Sequence, residues 1–201
     1  MNSRAVVRRP TQSGTSMIEV LVAIVIVVLG LLGLAGLQSR AQLGEVEAFQ
    51  RAQAVILLQD MVDRINANRR NSMSYVTAGE GTGKSVQSCG SITNVATQDL
   101  CEWSNALLGA SETTGGSKVG AMGNALGCVE AITATMPREF RVTVAWQGTT
   151  GTKAADPSIT CGAGQYGVDP VSGVDLRRTL TANVIIGCLQ NNPATGTCVT
   201  P

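Results

Sequence analysis

The chain has 201 residues and no histidine. That absence removes Ser-His-Asp and Cys-His catalysis, histidine general bases and imidazole metal sites together. Aromatic residues make up only 3% and charged residues only 14%. The formal net charge is +1, so nothing in the charge balance points to a nucleic-acid partner. No Cys-x-x-Cys pair is present, which with the missing histidine argues against zinc. What is abundant is glycine, at 23 residues, and one uninterrupted apolar segment.

That segment is Val20 to Leu37, eighteen consecutive apolar or glycine residues. At about 1.5 Å rise per residue it spans roughly 27 Å, close to the hydrocarbon core of a bilayer. Arg4, Arg8 and Arg9 precede it, and the first acid is Glu19. The positive-inside rule then keeps the N-terminus cytoplasmic and sends the chain after about residue 38 outside. The run is longer than a secretory h-region and leads into a helical pattern, not a cleavage site. It has no polar face for a soluble-core helix. Glu19 stands at its edge, where the helix dipole favours a carboxylate; deeper in lipid it would need a positive partner.

Gly14-Thr15-Ser16-Met17-Ile18-Glu19-Val20, after a short basic leader, resembles the prepilin signal of type IV pilins and type II secretion pseudopilins. The resemblance implies cleavage between Gly14 and Thr15 by a membrane prepilin peptidase, N-methylation of Thr15, and Glu19 as the fifth mature residue. Thr15 stands where major pilins usually carry Phe, and Gly36 where they usually carry a kinking proline. Leu29–Gln38 and Leu58–Arg69 are further similar to the PilV type of minor pilin, a pilus modification protein. These matches cover the first third of the chain.

The expected domain organisation follows. Residues 1–14 form a leader; without them 12 basic and 14 acidic side chains remain. Residues 15–38 form the transmembrane, assembly half of one long helix and 39–70 its amphipathic half, with Val55, Leu58, Val62 and Ile65 at helical spacing. Glu47–Arg51 and Asp60–Arg64 are i,i+4 ion-pair candidates. Residues 71–201 form a globular domain of loops and sheet. A short helix is expected over 98–108, with Thr97 as N-cap and Gly109 as stop. Phe140, Val142, Val144 and Trp146 alternate with polar or small residues, as do Leu180, Ala182, Val184 and Ile186; both read as half-buried strands. Cys128–Thr135 reads as a weaker strand before Met136-Pro137. The fold class is therefore α+β: a long helix on an antiparallel sheet of three to four strands, the form of the pilin fold.

Six cysteines outside the membrane favour disulfides. In a meander, Cys128 at the start of the first strand meets Cys161 in the loop leaving the second. Cys188, at the end of the third, meets Cys198 in a short C-terminal loop. Cys89 and Cys101 then pair locally.

Ala78-Gly79-Glu80-Gly81-Thr82-Gly83-Lys84-Ser85 satisfies a relaxed phosphate-loop pattern, but no apolar strand precedes it and no good helix follows. A flexible glycine-rich loop accounts for it. Asp99, Glu102, Glu112, Glu130, Glu139, Asp156, Asp169 and Asp175 fall in different elements and suggest no acid–base pair.

No cofactor, metal or enzymatic activity is expected. The resemblance implies a minor pilin that helps prime pilus assembly and serves adhesion or twitching motility. Its partners are other minor pilins and the major pilin through the N-terminal helix, the prepilin peptidase, the inner-membrane assembly platform and a large tip adhesin. It would reside in the bacterial inner membrane with its C-terminal domain periplasmic, then in the pilus at the tip. The nearest alternative is a minor pseudopilin of a type II secretion system; the Leu29–Gln38 and Asp60–Arg69 matches favour the pilus. A tethered enzyme finds no catalytic constellation in the chain.

Overall fold

A computed structural model describes residues 14, 16–77, 79, 81–109, 113–114, 117–118, 122–151 and 153–188. Helix α1 runs over Met17–Ala67, followed by a 3₁₀ segment Arg69–Tyr75 and helix α2, Val95–Leu107. Strands β1 (Thr113–Thr114) and β2 (Ser117–Lys118) pair with each other. Strands β3 (Leu126–Thr133), β4 (Arg138–Gln147) and β5 (Arg177–Ile186) form an antiparallel sheet in the order β3-β4-β5. The chain divides into two compact units, Met1–Glu45 and Val46–Pro201, so α1 contributes to both.

Within the second unit the apolar stripe of α1 lies on one face of the sheet. The stripe is Ala54, Leu58, Met61 and Ile65, all buried. Leu58 and Ile65 are as expected, but Val55 is 49% exposed and Val62 is only half-buried. Ala54 and Met61 take their places, because the buried face is centred one position earlier in the helical phase. Opposite them stand Val129 of β3, Phe140, Val142, Val144 and Trp146 of β4, and Val184 and Ile186 of β5. Each large side chain fully withdrawn from water contributes about 1.5–3 kcal/mol.

Helix α2 closes the core from one end. It starts at Val95, not 98, because the Asn94 side chain accepts the Thr97 backbone N–H at 3.1 Å. Thr97 is thus the third helical residue and not the cap. Gly109, at φ 64°, ends the helix in the left-handed region that favours glycine. Trp103 of α2 is fully buried and donates its indole N–H to the Leu57 carbonyl of α1 at 2.8 Å. Its ring lies against Gly127: a Cβ there would meet Trp103 Cη2 at 2.3 Å, so β3 needs glycine to let α2 approach.

The first strand is neither weak nor opened by Cys128. It begins at Leu126, and its first four residues are buried. β4 is buried on both faces. Its outer face, with Thr143 and Ala145, lies beneath the segment carrying Cys161 and Tyr166. That segment is held by Arg177, whose Nη1 donates to the carbonyls of Ile159 (2.8 Å) and Cys161 (3.0 Å), and by the Tyr166 hydroxyl, which donates to the Ala145 carbonyl at 3.0 Å. Disulfides join Cys128 to Cys161 and Cys89 to Cys101. Cys188 is also disulfide-bonded, while its expected partner Cys198 lies outside the described residues.

Candidate functional site

The residues singled out at the N-terminus sit at the beginning of α1. Gly14 is exposed; Thr15 and residues 1–13 lie outside the described residues. The Ser16 carbonyl accepts from the backbone N–H of Glu19 (3.0 Å) and Val20 (3.3 Å), which sets the first turn of the helix and places Glu19 in it. Beyond Glu19 the helix is long and apolar enough to cross a membrane, by length and composition, with a mean hydropathy of 3.1 over its most apolar window. None of that window is buried within the chain. Leu21, Leu29 and Leu32 are each more than 60% exposed. Gly30, Gly33 and Gly36 have nothing near them that an added Cβ would meet. None of the described residues covers these apolar side chains, which suit lipid or other helices.

In the second unit, charged side chains gather around Arg64. Its guanidinium meets the expected Asp60 at 3.1 Å, and also Asp99 and Glu102 of α2, each at 2.8 Å. The Tyr75 hydroxyl donates to Asp99, and Asn68 donates to the same hydroxyl. Burial pulls the Arg64 pKa down, but its hydrogen bonds to Glu102, Asp60 and Asp99 more than reverse this and hold it above its ordinary value. Hydrogen bonding to Arg64 lowers Glu102, and burial followed by the bond to Asp99 pushes Tyr75 up to about 12. Asp99 and Glu102 are therefore tied to α1 instead of scattered in solvent. Only the local Asp60–Arg64 pair carried a signal in the sequence; the other two acids sit 35 and 38 residues away. Glu47 does not pair with Arg51 among the described residues; it accepts from Thr149 at 2.8 Å and faces Arg178 at 3.4 Å.

The remaining acids serve loops and strands. Glu130 lies across from Arg141 at 3.7 Å, Glu139 accepts from Asn183, and Asp175 caps the Arg177 backbone N–H. Asp156 accepts from the Ser158 N–H, and Asp169 accepts from three backbone N–H groups. Glu112 lies outside the described residues. No group of three or more potential metal ligands occurs among the described residues.

The described residues of the phosphate-loop-like segment are hydrogen-bonded to their neighbours. Thr82 and Gly127 exchange both backbone hydrogen bonds, at 2.8 and 2.9 Å, and Gly83 N–H donates to Ser104 Oγ. Gly81 and Gly83 have positive φ, and a Cβ on either would strike a carbonyl of the β3 region at 2.4 Å. These glycines serve close backbone approach to β3, with no strand–loop–helix context for a phosphate.

An apolar helix without cover among the described residues, leading into a disulfide-bonded α+β domain, is a pilin-like α+β arrangement. Residues 36–106 match the family model described as Tt1218-like, type IV pilin Tt1218, and that match supports placement among the type IV pilins. No curated protein and no solved structure matches the chain.

Proposed function

We propose that the protein is a minor pilin of the PilV type in a type IV pilus. The observation that carries the reading is the apolar half of α1, which starts directly behind Gly14 and Glu19 and whose exposed side chains require other helices or lipid. The family match over residues 36–106 supports a pilin subunit. The precursor sits in the inner membrane with its globular part in the periplasm. Cleavage after Gly14 frees the amine of Thr15, which is methylated. The helix then enters a bundle of pilin helices, where Glu19 pairs with the N-terminal amine of an adjacent subunit. In a low dielectric such a pair attracts strongly, and removing one partner strands a charge at about 3–5 kcal/mol. Together with other minor pilins, the assembly platform and a tip adhesin, the subunit primes assembly and serves adhesion and twitching.

The test is incorporation into sheared pili. Glu19→Ala is expected to remain processed but be absent from pili, and Gly14→Ala to stay at precursor mass. Normal processing of Gly14→Ala and normal incorporation of both variants into pili would overturn the reading.

A further inference from the structure

A cleft of about 390 Å³ opens in the second unit between the first turns of α1 in that unit and the rim of the sheet. Arg51 and Gln50 line it from α1, Trp146 and Gly148 from the end of β4, and Arg178 from β5. Arg178 is fixed in place. Its Nη2 donates to the Thr150 carbonyl at 2.5 Å and faces Glu47 Oε1 at 3.4 Å. Gly148 lets the guanidinium lie flat on the chain, since a Cβ there would come within 2.8 Å of Arg178 Cζ.

Two residues lining the cleft each carry a buried polar atom without a hydrogen-bond partner among the described residues: Arg178 Nη1 and Gln50 Oε1. Arg51, exposed at the rim, makes no ion pair among the described residues. The one acid of the cleft, Glu47, is already engaged by Thr149, Thr150 and Arg178. The cleft thus holds two guanidinium groups against one committed carboxylate. A buried cationic N–H without an acceptor is destabilising until an acceptor arrives. A guanidinium fork matches a carboxylate in shape as well as charge. The Gln50 carboxamide turns about its last, broad torsion and so can present its N–H₂ to the same anion.

We propose that this cleft receives an acidic side chain of a neighbouring pilus subunit, with Arg178 and Arg51 as its two cationic contacts. The proposal rests on the pilin reading above and adds a docking point for the globular part, apart from the N-terminal helix. It is separable from that reading by experiment. In cells producing pili, the full chain carrying Arg51→Lys is expected in sheared pili at the level of the unaltered chain, and Arg51→Gln and Arg51→Glu at least tenfold lower. All three should be processed and should retain the Cys89–Cys101 and Cys128–Cys161 bridges by peptide mapping, since Arg51 is exposed. Arg51→Glu within twofold of the unaltered chain would overturn the cleft proposal alone. Absence of the unaltered chain from pili would remove the pilin reading, and the cleft proposal with it.

Discussion

Asp169 shows how much one side chain can organise. Its carboxylate accepts the backbone N–H groups of Ser172, Gly151 and Val171, and these bonds bring its pKa down to about 2. It thereby ties the turn after Val168 to the start of the loop leaving β4. A carboxylate ordinarily titrates near 3.9, so the folded value lies below the unfolded one. The stability it contributes is present above about pH 4 and disappears as pH falls through about 2. Asp169→Asn should therefore lower the unfolding midpoint at neutral pH, and the gap to the unaltered chain should close between pH 4 and pH 2. Thermal unfolding followed by circular dichroism across that range is the measurement; a gap independent of pH would contradict it. Nothing in the sequence reveals that Asp169 meets the distant Gly151 N–H.

Among elements, the attachment of α2 to α1 rests on Arg64 and Trp103. Arg64 reaches three carboxylates, two of them on α2, while Trp103 inserts its indole against Leu57. Arg64→Lys keeps the charge but not the planar fork, so it cannot hold Asp60, Asp99 and Glu102 at once. With Arg64 still partly open to solvent, a loss of about 1–3 kcal/mol is expected, read as a lower midpoint in denaturant. Recovery of full stability by the lysine variant would show that charge alone suffices. The elements themselves were largely legible. Period 3.6 in α1 and period 2 in β4 and β5 follow from burial of one face, and burial is what the pattern encodes. The errors share a cause. Val55 reads as core because two adjacent helical phases are both apolar there. Thr97 reads as a cap, but Asn94 three residues earlier has the same capacity and takes that role. The occluded outer face of β4 was invisible, since Thr143 looks solvent-facing until the Cys161 segment covers it.

At the scale of the whole chain, covalent cross-links offset a short supply of core. Residues 71–109 and 148–176 contain few apolar side chains, and the two described disulfides tie each stretch to a regular element. Loop closure predicts about 2.8 kcal/mol for the 12-residue separation of Cys89–Cys101 and about 3.7 kcal/mol for the 33-residue separation of Cys128–Cys161. Replacing each pair by serine should lower the unfolding midpoint in that order, the second more than the first. The reverse order would mean that native-state effects dominate over chain entropy. The Cys128–Cys161 pairing follows from topology, because a meander brings the early part of its first strand beside the exit of its second, while Cys89–Cys101 is a local pair. What the sequence could not convey is the Arg64 cluster and the cleft around Arg178, because each joins residues dozens of positions apart that carry no shared periodicity.

The glycine-rich segment beside β3 has one more implication. Thr82 takes up both outward groups of Gly127, and Thr77 does the same for Val129, through its own backbone N–H and its side-chain hydroxyl. The first half of the β3 margin is thus occupied, while β5, at the other margin, has no strand on its far side among the described residues. A sheet with a single open margin cannot propagate. Were two such domains to join strand to strand, β5 against β5, the union would terminate as a pair and not as a fibre.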